Sequence, residues 1–211
     1  MKAGRFIALE GGEGVGKSTQ AHLLAEALRA RGHAVVLTRE PGGTAGAEAI
    51  RALLLSPDAE WGAAAEALLF AAARAEHVGK VIRPALAAGR WVVCDRFVDS
   101  SRAYQGGEGG VPDADILALH RIGAGGLVPD LTLLLQASPA VLARRLALRD
   151  GTTRDRIGGR PPAFHQAVAE RFRALAQAEP DRFALIDADR EPGDVHRAVL
   201  AALAPLADER A

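Results

Sequence analysis

Asparagine is missing from this 211-residue chain. Its absence removes the Asn-Lys-x-Asp element by which GTP switches read guanine, and with it every N-glycosylation acceptor. Lysine is nearly as scarce, occurring only as Lys2, Lys17 and Lys80 while arginine fills the other basic positions. A lysine inside a motif is therefore not there through abundance. Cys94 is the single cysteine, so no internal disulfide can form. Aromatic residues supply 4% of the chain against 49% hydrophobic residues overall. The core must then be mostly alanine, leucine and valine, which suits closely packed helices around a small sheet. Basic and acidic residues balance at 26 each, which argues against a nucleic-acid partner. The start, MKAGRFIALEGGEG, lacks the apolar run of a secretory signal or membrane span. The expectation is a cytoplasmic protein without a membrane partner. The histidines at 22, 33, 77, 120, 165 and 196 form no i, i+4 pair and no cluster with acids or the cysteine, so no histidine metal site is expected.

The length fits one domain with a full core. Five apolar runs, Arg5–Gly11, Ala34–Glu40, Trp91–Arg96, Leu131–Ala137 and Phe183–Ala188, alternate with segments of helical spacing. They are apolar on successive residues rather than every second one, so both faces should be covered. That is the pattern of a parallel sheet flanked by helices on both faces, an α/β protein. Helices are expected at Ser18–Arg31, at Ala64–Ala87 with a kink at Pro84, and at Asp113–Ile122, Pro139–Arg149, Ala163–Ala178 and Asp194–Leu203. Ser138 is a candidate N-cap with Pro139 at the first helical position. The stretch Arg149–Pro162, RDGTTRDRIGGRPP, is too polar and glycine-rich to pack and is expected to be a mobile flap.

The strongest signal lies between the first strand and the first helix: Gly11-Gly12-Glu13-Gly14-Val15-Gly16-Lys17-Ser18. It matches G-x-x-x-x-G-K-[ST] in the context that such a loop needs. Glycines let successive N–H groups curl around an anion at a helix N-terminus. Lys17 neutralises β and γ phosphate oxygens, and the Ser18 hydroxyl can ligate Mg²⁺. This alone leaves kinases, ATPase motors and switches open. The second strand ends in Thr38-Arg39-Glu40-Pro41-Gly42-Gly43-Thr44, and the third runs into Asp95-Arg96-Phe97. Both emerge at the carboxyl edge where open α/β sheets hold ligands. With the third strand beside the first, Asp95 stands near a metal and Arg96 near a second anion.

Several of these motifs, in one order, resemble the thymidylate kinase family. The resemblance rests on the P-loop with Glu13, TREPGGT at 38–44, LLFAAARAEHV at 68–78, DRF at 95–97, SSRAYQG at 100–106, PDLTLLL at 129–135 and DRI at 155–157. It implies a P-loop kinase fold over residues 1–211, a nucleoside monophosphate kinase domain with a lid at about 149–162. The implied reaction transfers a phosphoryl group from ATP to dTMP with Mg²⁺, giving dTDP for dTTP synthesis. Gly11, Gly12, Glu13, Gly14, Val15, Gly16, Lys17, Ser18 and Thr19 would hold ATP, with Arg149 stacked on adenine. Mg²⁺ would sit by Ser18 and Asp95. Phe70 would stack on thymine. Arg74, one turn later, would bond a base carbonyl, while Ser101 and Gln105 read the base edge and Tyr104 lies against the sugar.

The resemblance gives the acceptor phosphate to Arg96, with Arg39 and Arg51 nearby, and turns Glu13 toward the acceptor's 3′-hydroxyl. Gly14 in the loop and arginines in the flap match the bacterial type, in which a lid arginine, here Arg156, reaches the transferring phosphoryl group. Lys17, Arg96, Arg156, Asp95 and Glu13 are thus the candidate catalytic residues. Family members are usually homodimers, and Ala64–Ala87 is a candidate surface. The residues themselves leave room for a P-loop kinase of another nucleotide or nucleoside, or for a nucleotide-dependent regulator. Missing Asn-Lys-x-Asp weakens a GTP regulator, and a flap rich in arginine favours transfer.

Overall fold

A computed structural model describes residues 4–148 and 155–208. Five strands, β1 (Phe6–Glu10), β2 (Val35–Arg39), β3 (Trp91–Asp95), β4 (Leu131–Gln136) and β5 (Phe183–Asp187), form one parallel sheet in the order β2-β3-β1-β4-β5. Each lies within one residue of its expected bounds at either end. β1 is central, and all of its residues are buried. Alternate side chains serve two layers. Ile7 and Leu9 pack with Leu24 and Leu28 of α1 (Lys17–Ala30) and with Val195 and Val199 of α9 (Pro192–Asp208). Phe6 and Ala8 pack on the opposite face with Val78, Ile82 and Phe97. Burial on both faces is why these strands read as unbroken apolar runs.

The remaining helices are α2 (Ala45–Leu55), α3 (Ala63–His77), α4 (Arg83–Ala87), α5 (Val98–Tyr104), α6 (Asp113–Ala124), α7 (Pro139–Leu148) and α8 (Pro162–Ala178). Thr44 caps α2, its Oγ1 accepting from Ala47 N at 3.1 Å. Ser138 Oγ accepts from Val141 N at 3.4 Å at the start of α7. Among the described residues, no helix is long and apolar enough to cross a membrane.

Two expectations are corrected. The helix expected over Ala64–Ala87 is broken not at Pro84 but by a π-helical turn at Val78–Ile82. Pro84 follows it, in the first turn of α4. Asp155–Arg160, half of the stretch read as unable to pack, forms a tight turn. Ile157 in it is buried against Val168 and Phe172 of α8 and Tyr104, so one apolar residue anchors an otherwise polar segment. Its other half, with Arg149 and Arg154, lies outside the described residues.

Candidate active site

The loop after β1 turns back on itself through Gly11, Gly14 and Gly16, with φ of 136°, 75° and 97°. At Gly11 no other residue fits, because a Cβ would lie 2.4 Å from the Leu135 carbonyl oxygen. The turn delivers Lys17 to the start of α1, where its Nζ donates to the carbonyls of Gly11 (3.1 Å) and Gly12 (2.6 Å). Burial, aided by the Arg96 charge and opposed by nearby acids, pulls the Lys17 ammonium down to about 8. Val15 is buried beneath the loop, while Ser18 and Thr19 are exposed at its rim.

Pairing of β1 with β3 brings Asp95 opposite Leu9. The Ser18 hydroxyl donates to Asp95 Oδ2 at 2.5 Å, and Asp95 Oδ1 is buried without a partner. A hydroxyl and an orphaned carboxylate oxygen beside a phosphate-binding turn suit a hard divalent cation. The next residue, Arg96, holds φ at 72°, the only positive φ at a non-glycine among the described residues. Such strain is retained where the surroundings dictate it. It turns the guanidinium back toward the P-loop: Nη1 donates to Gly11 O and Ser100 Oγ, each at 3.1 Å, and Nη2 to Tyr104 Oη at 3.2 Å. The guanidinium carbon lies 4.9 Å from the Tyr104 ring centre, and Nη2 is 3.8 Å from Glu13 Oε1.

Glu10, which ends β1, gives this arrangement its floor. Its carboxyl accepts from Phe97 N (2.8 Å), Ser100 N (3.0 Å) and Ser100 Oγ (2.6 Å). Full burial first, and then the Asp99 charge, push it up to about 7, against the pull of Arg96 and its hydrogen bonds. Burial likewise raises the Tyr104 phenol.

Beside Arg96 opens a cavity of about 100 Å³ walled by Glu13, Arg51, Phe70, Tyr104, Gln105 and Ile157, among others. The structure thus gathers Glu13, Arg51, Phe70, Arg96, Tyr104 and Gln105 around one space. Arg51 Nη1 donates to Pro41 O at 2.8 Å. The other expected acceptor residues stand outside that lining. Arg39 points to solvent and pairs with Glu48 at 3.3 Å. Arg74 is buried behind the wall, its Nε on Glu40 (2.8 Å) and its Nη2 on Ser101 Oγ (2.8 Å) and Phe97 O (3.3 Å). Ser100, not Ser101, reaches the cavity. Arg156 is held on α2 and α3, with Nε on Leu54 O (2.9 Å) and Nη2 on Glu66 Oε2 (2.5 Å).

Sequence reasoning gave no role to Glu10, Glu40 or Glu66. Each had a signal: a carboxylate inside an apolar strand, an acid before a proline, and a charge within an alanine-rich helix. Glu40 is buried between Arg74 and His77, whose Nε2 pairs with Thr38 Oγ1 at 2.7 Å. The Glu40–Pro41 peptide is cis. At Gly158 a Cβ would lie 3.1 Å from Glu13 Oε2. A carboxylate there would crowd another.

Comparison with known proteins agrees with this geometry. The family model "Thymidylate kinase" matches residues 9–199. A thymidylate kinase of Rhizorhabdus wittichii is 58% identical over 204 residues, covering 96% of this chain and 98% of that protein. One from Chromohalobacter salexigens is 52% identical over 205 residues, 96% of each. The crystal structure of thymidylate kinase from Ehrlichia chaffeensis superposes with a TM-score of 0.77 at 33% identity, over 95% of this chain and 99% of that one. A loop built to hold phosphate, an arginine strained into the space beside it and homology along nearly the whole length lead to one assignment: the chain belongs to the thymidylate kinase family.

Proposed function

We propose that this chain carries out the dTMP-to-dTDP phosphorylation of its family with ATP in the P-loop and dTMP in the cavity under Phe70. The observation that carries this reading is the contact between the two halves at Arg96. One side of its guanidinium bonds the P-loop at Gly11 O, 3.1 Å away, and the other borders the cavity beside Glu13 and Tyr104. An acceptor phosphate on Arg96 therefore lies next to the terminal phosphate of a nucleotide held by the loop amides.

Phosphoryl transfer asks the protein mainly for alignment and charge stabilisation. Residues Gly11 to Thr19 wrap the donor phosphates, and Lys17 exchanges its two carbonyl partners for phosphate oxygens. Arg96 grips the acceptor phosphate, with Arg51 close by and Arg39 released from Glu48 to assist. Glu13 faces the acceptor sugar and keeps Arg96 oriented. Phe70 offers a ring face to the base, Gln105 an amide to its edge, and Tyr104 packs on the sugar. Arg74, held by Glu40 and Phe97 O, steadies Ser101 from behind that edge. Arg149 and Arg156 belong to the lid over the donor, Arg156 reaching the transferring group on closure. Ser18 and Asp95 fit Mg²⁺, which would neutralise charge on the donor phosphates.

We read residues 1–211 as one nucleoside monophosphate kinase domain working in the cytoplasm as a homodimer. Leu68 on α3 is 54% exposed and Ile122 on α6, which packs on α3, is 84% exposed. They supply apolar surface for pairing. A coupled assay of ADP release with dTMP, dUMP, dCMP and deoxynucleosides as acceptors tests the substrate. dTMP should give the highest kcat/KM. Equal or better turnover of a cytosine nucleotide or a nucleoside would overturn the acceptor assignment.

A further inference from the structure

Glu66 is a buried carboxylate, 2% exposed, set in the alanine-rich start of α3. No step described above uses it. Its Oε2 accepts from two guanidinium groups of the lid base, Arg156 Nη2 and Arg160 Nη2, both at 2.5 Å. Its Oε1 accepts from Gln105 Nε2 at 2.9 Å. One carboxylate therefore holds both the arginine assigned to the transferring phosphoryl group and the amide assigned to the acceptor base.

The charges make this arrangement exchangeable. A buried carboxylate is tolerated only while it is paired. Here it has two cations, so one can leave and the other still neutralises it. The cavity beside Gln105 measures about 100 Å³, below the roughly 300 Å³ at which small-molecule sites begin. Two of its walls, Asp155 and Ile157, belong to the lid base. An acceptor cannot enter without moving the segment that Glu66 secures.

We propose that Glu66 is a positioning residue that withholds Arg156 from the donor phosphates until an acceptor base engages Gln105. This rests on the acceptor site assigned above. When the base takes the Gln105 amide, Oε1 loses its donor. Arg160 then closes on both carboxylate oxygens as a two-pronged pair, and Arg156 is released to the transferring group. Without an acceptor, Arg156 stays on Glu66. The side reaction this suppresses is hydrolysis, in which a water oxygen bonds the γ phosphorus, the bond to the β–γ bridging oxygen breaks, ADP leaves and the proton passes to solvent.

Two variants test the exchange by moving activity in opposite directions. Glu66→Gln keeps the size and an acceptor for Gln105 but removes the charge that retains Arg156. ADP formation from ATP and Mg²⁺ alone should rise about tenfold, the worth of one charge-assisted hydrogen bond. The ratio of dTMP-stimulated to unstimulated ADP release should fall by the same factor. Arg160→Met leaves Arg156 as the sole cation on Glu66. Stimulated turnover should drop about tenfold with no rise in the unstimulated rate. Unfolding midpoints are measured alongside. A folded Glu66→Gln with an unchanged ratio, or an Arg160→Met with full stimulated turnover, overturns the proposal. Should Glu66→Gln lack a cooperative transition, Arg160→Met decides alone. Wild-type protein without dTMP-dependent ADP release would instead refute the substrate reading, whereas normal wild-type behaviour with unaltered variants refutes only the role of Glu66.

Discussion

Replacing Glu10 by glutamine should stabilise the protein, and only above a definite pH. The Glu10 carboxyl is fully buried and pushed from the ordinary 4.5 up to about 7. A group whose pKa is higher folded than unfolded contributes stability that is complete below 4.5 and is lost as pH rises through 7. At about 1.4 kcal/mol per pH unit, the window from 4.5 to 7 is worth roughly 3 kcal/mol. Glutamine keeps a carbonyl for Phe97 N and Ser100 N and carries no charge, so its stability should not fall across that window. His120 and His196, both lowered by burial, act oppositely and lose their stabilisation as pH falls. They are present in both proteins and cancel in the difference. Urea unfolding of wild type and Glu10→Gln at pH 5, 6, 7 and 8 reads the effect directly. The gap should widen in favour of glutamine from pH 5 to about 7 and level off toward pH 8. Parallel pH profiles would refute the upward shift of the Glu10 carboxyl in the folded protein.

Three further outcomes follow from the site. Lys17→Ala removes the cation aimed at the donor phosphates and should lower kcat by about 10²- to 10³-fold while the unfolding midpoint holds; a loss under threefold would contradict the phosphate role. Phe70→Ala should raise the dTMP KM about tenfold, in line with the roughly 1–3 kcal/mol of a base–aromatic stack, and leave kcat close to wild type; an unchanged KM would place the base elsewhere. Gly43→Ala puts a Cβ 2.6 Å from His77 Cδ2 and 2.7 Å from Thr38 Oγ1 at a φ of +86°. It should cost about 1–3 kcal/mol in urea unfolding, and wild-type stability would refute the tight fit of His77 against that turn.

The parts of the molecule legible in the sequence are those where one local requirement dominates. β1, β3 and β4 read as continuous apolar runs because helices cover both of their faces. The P-loop was legible because its turn admits only glycine at Gly11, and Ser18 meets Asp95 because β1 and β3 are neighbours. The rest depends on contacts far apart in sequence. Glu66 and Arg156 are separated by 90 positions, so nothing local links them. Arg74 lies one turn from Phe70, which suggested a shared face toward the base, but Glu40 draws it behind the wall. The turn at 155–160 looked too polar to pack because its charges are counted before their partners are known. Glu66 and the pocket for Ile157 come from α3, α5 and α8. The seven-residue α5 carries Asp99, Ser100 and Ser101 in its first turns, a composition that suits a turn as readily as a helix.

The central claim is that two nucleotides occupy the sheet edge together, one in the P-loop and one under Phe70. Calorimetric titration of dTMP into protein saturated with Mg²⁺ and a non-hydrolysable ATP analogue tests it directly. The account requires one dTMP per chain to bind while the analogue remains in place, with affinity at least equal to that of the free protein. Release of the analogue in proportion to the dTMP taken up would mean a single shared pocket, and in-line transfer between two held phosphates would then be impossible.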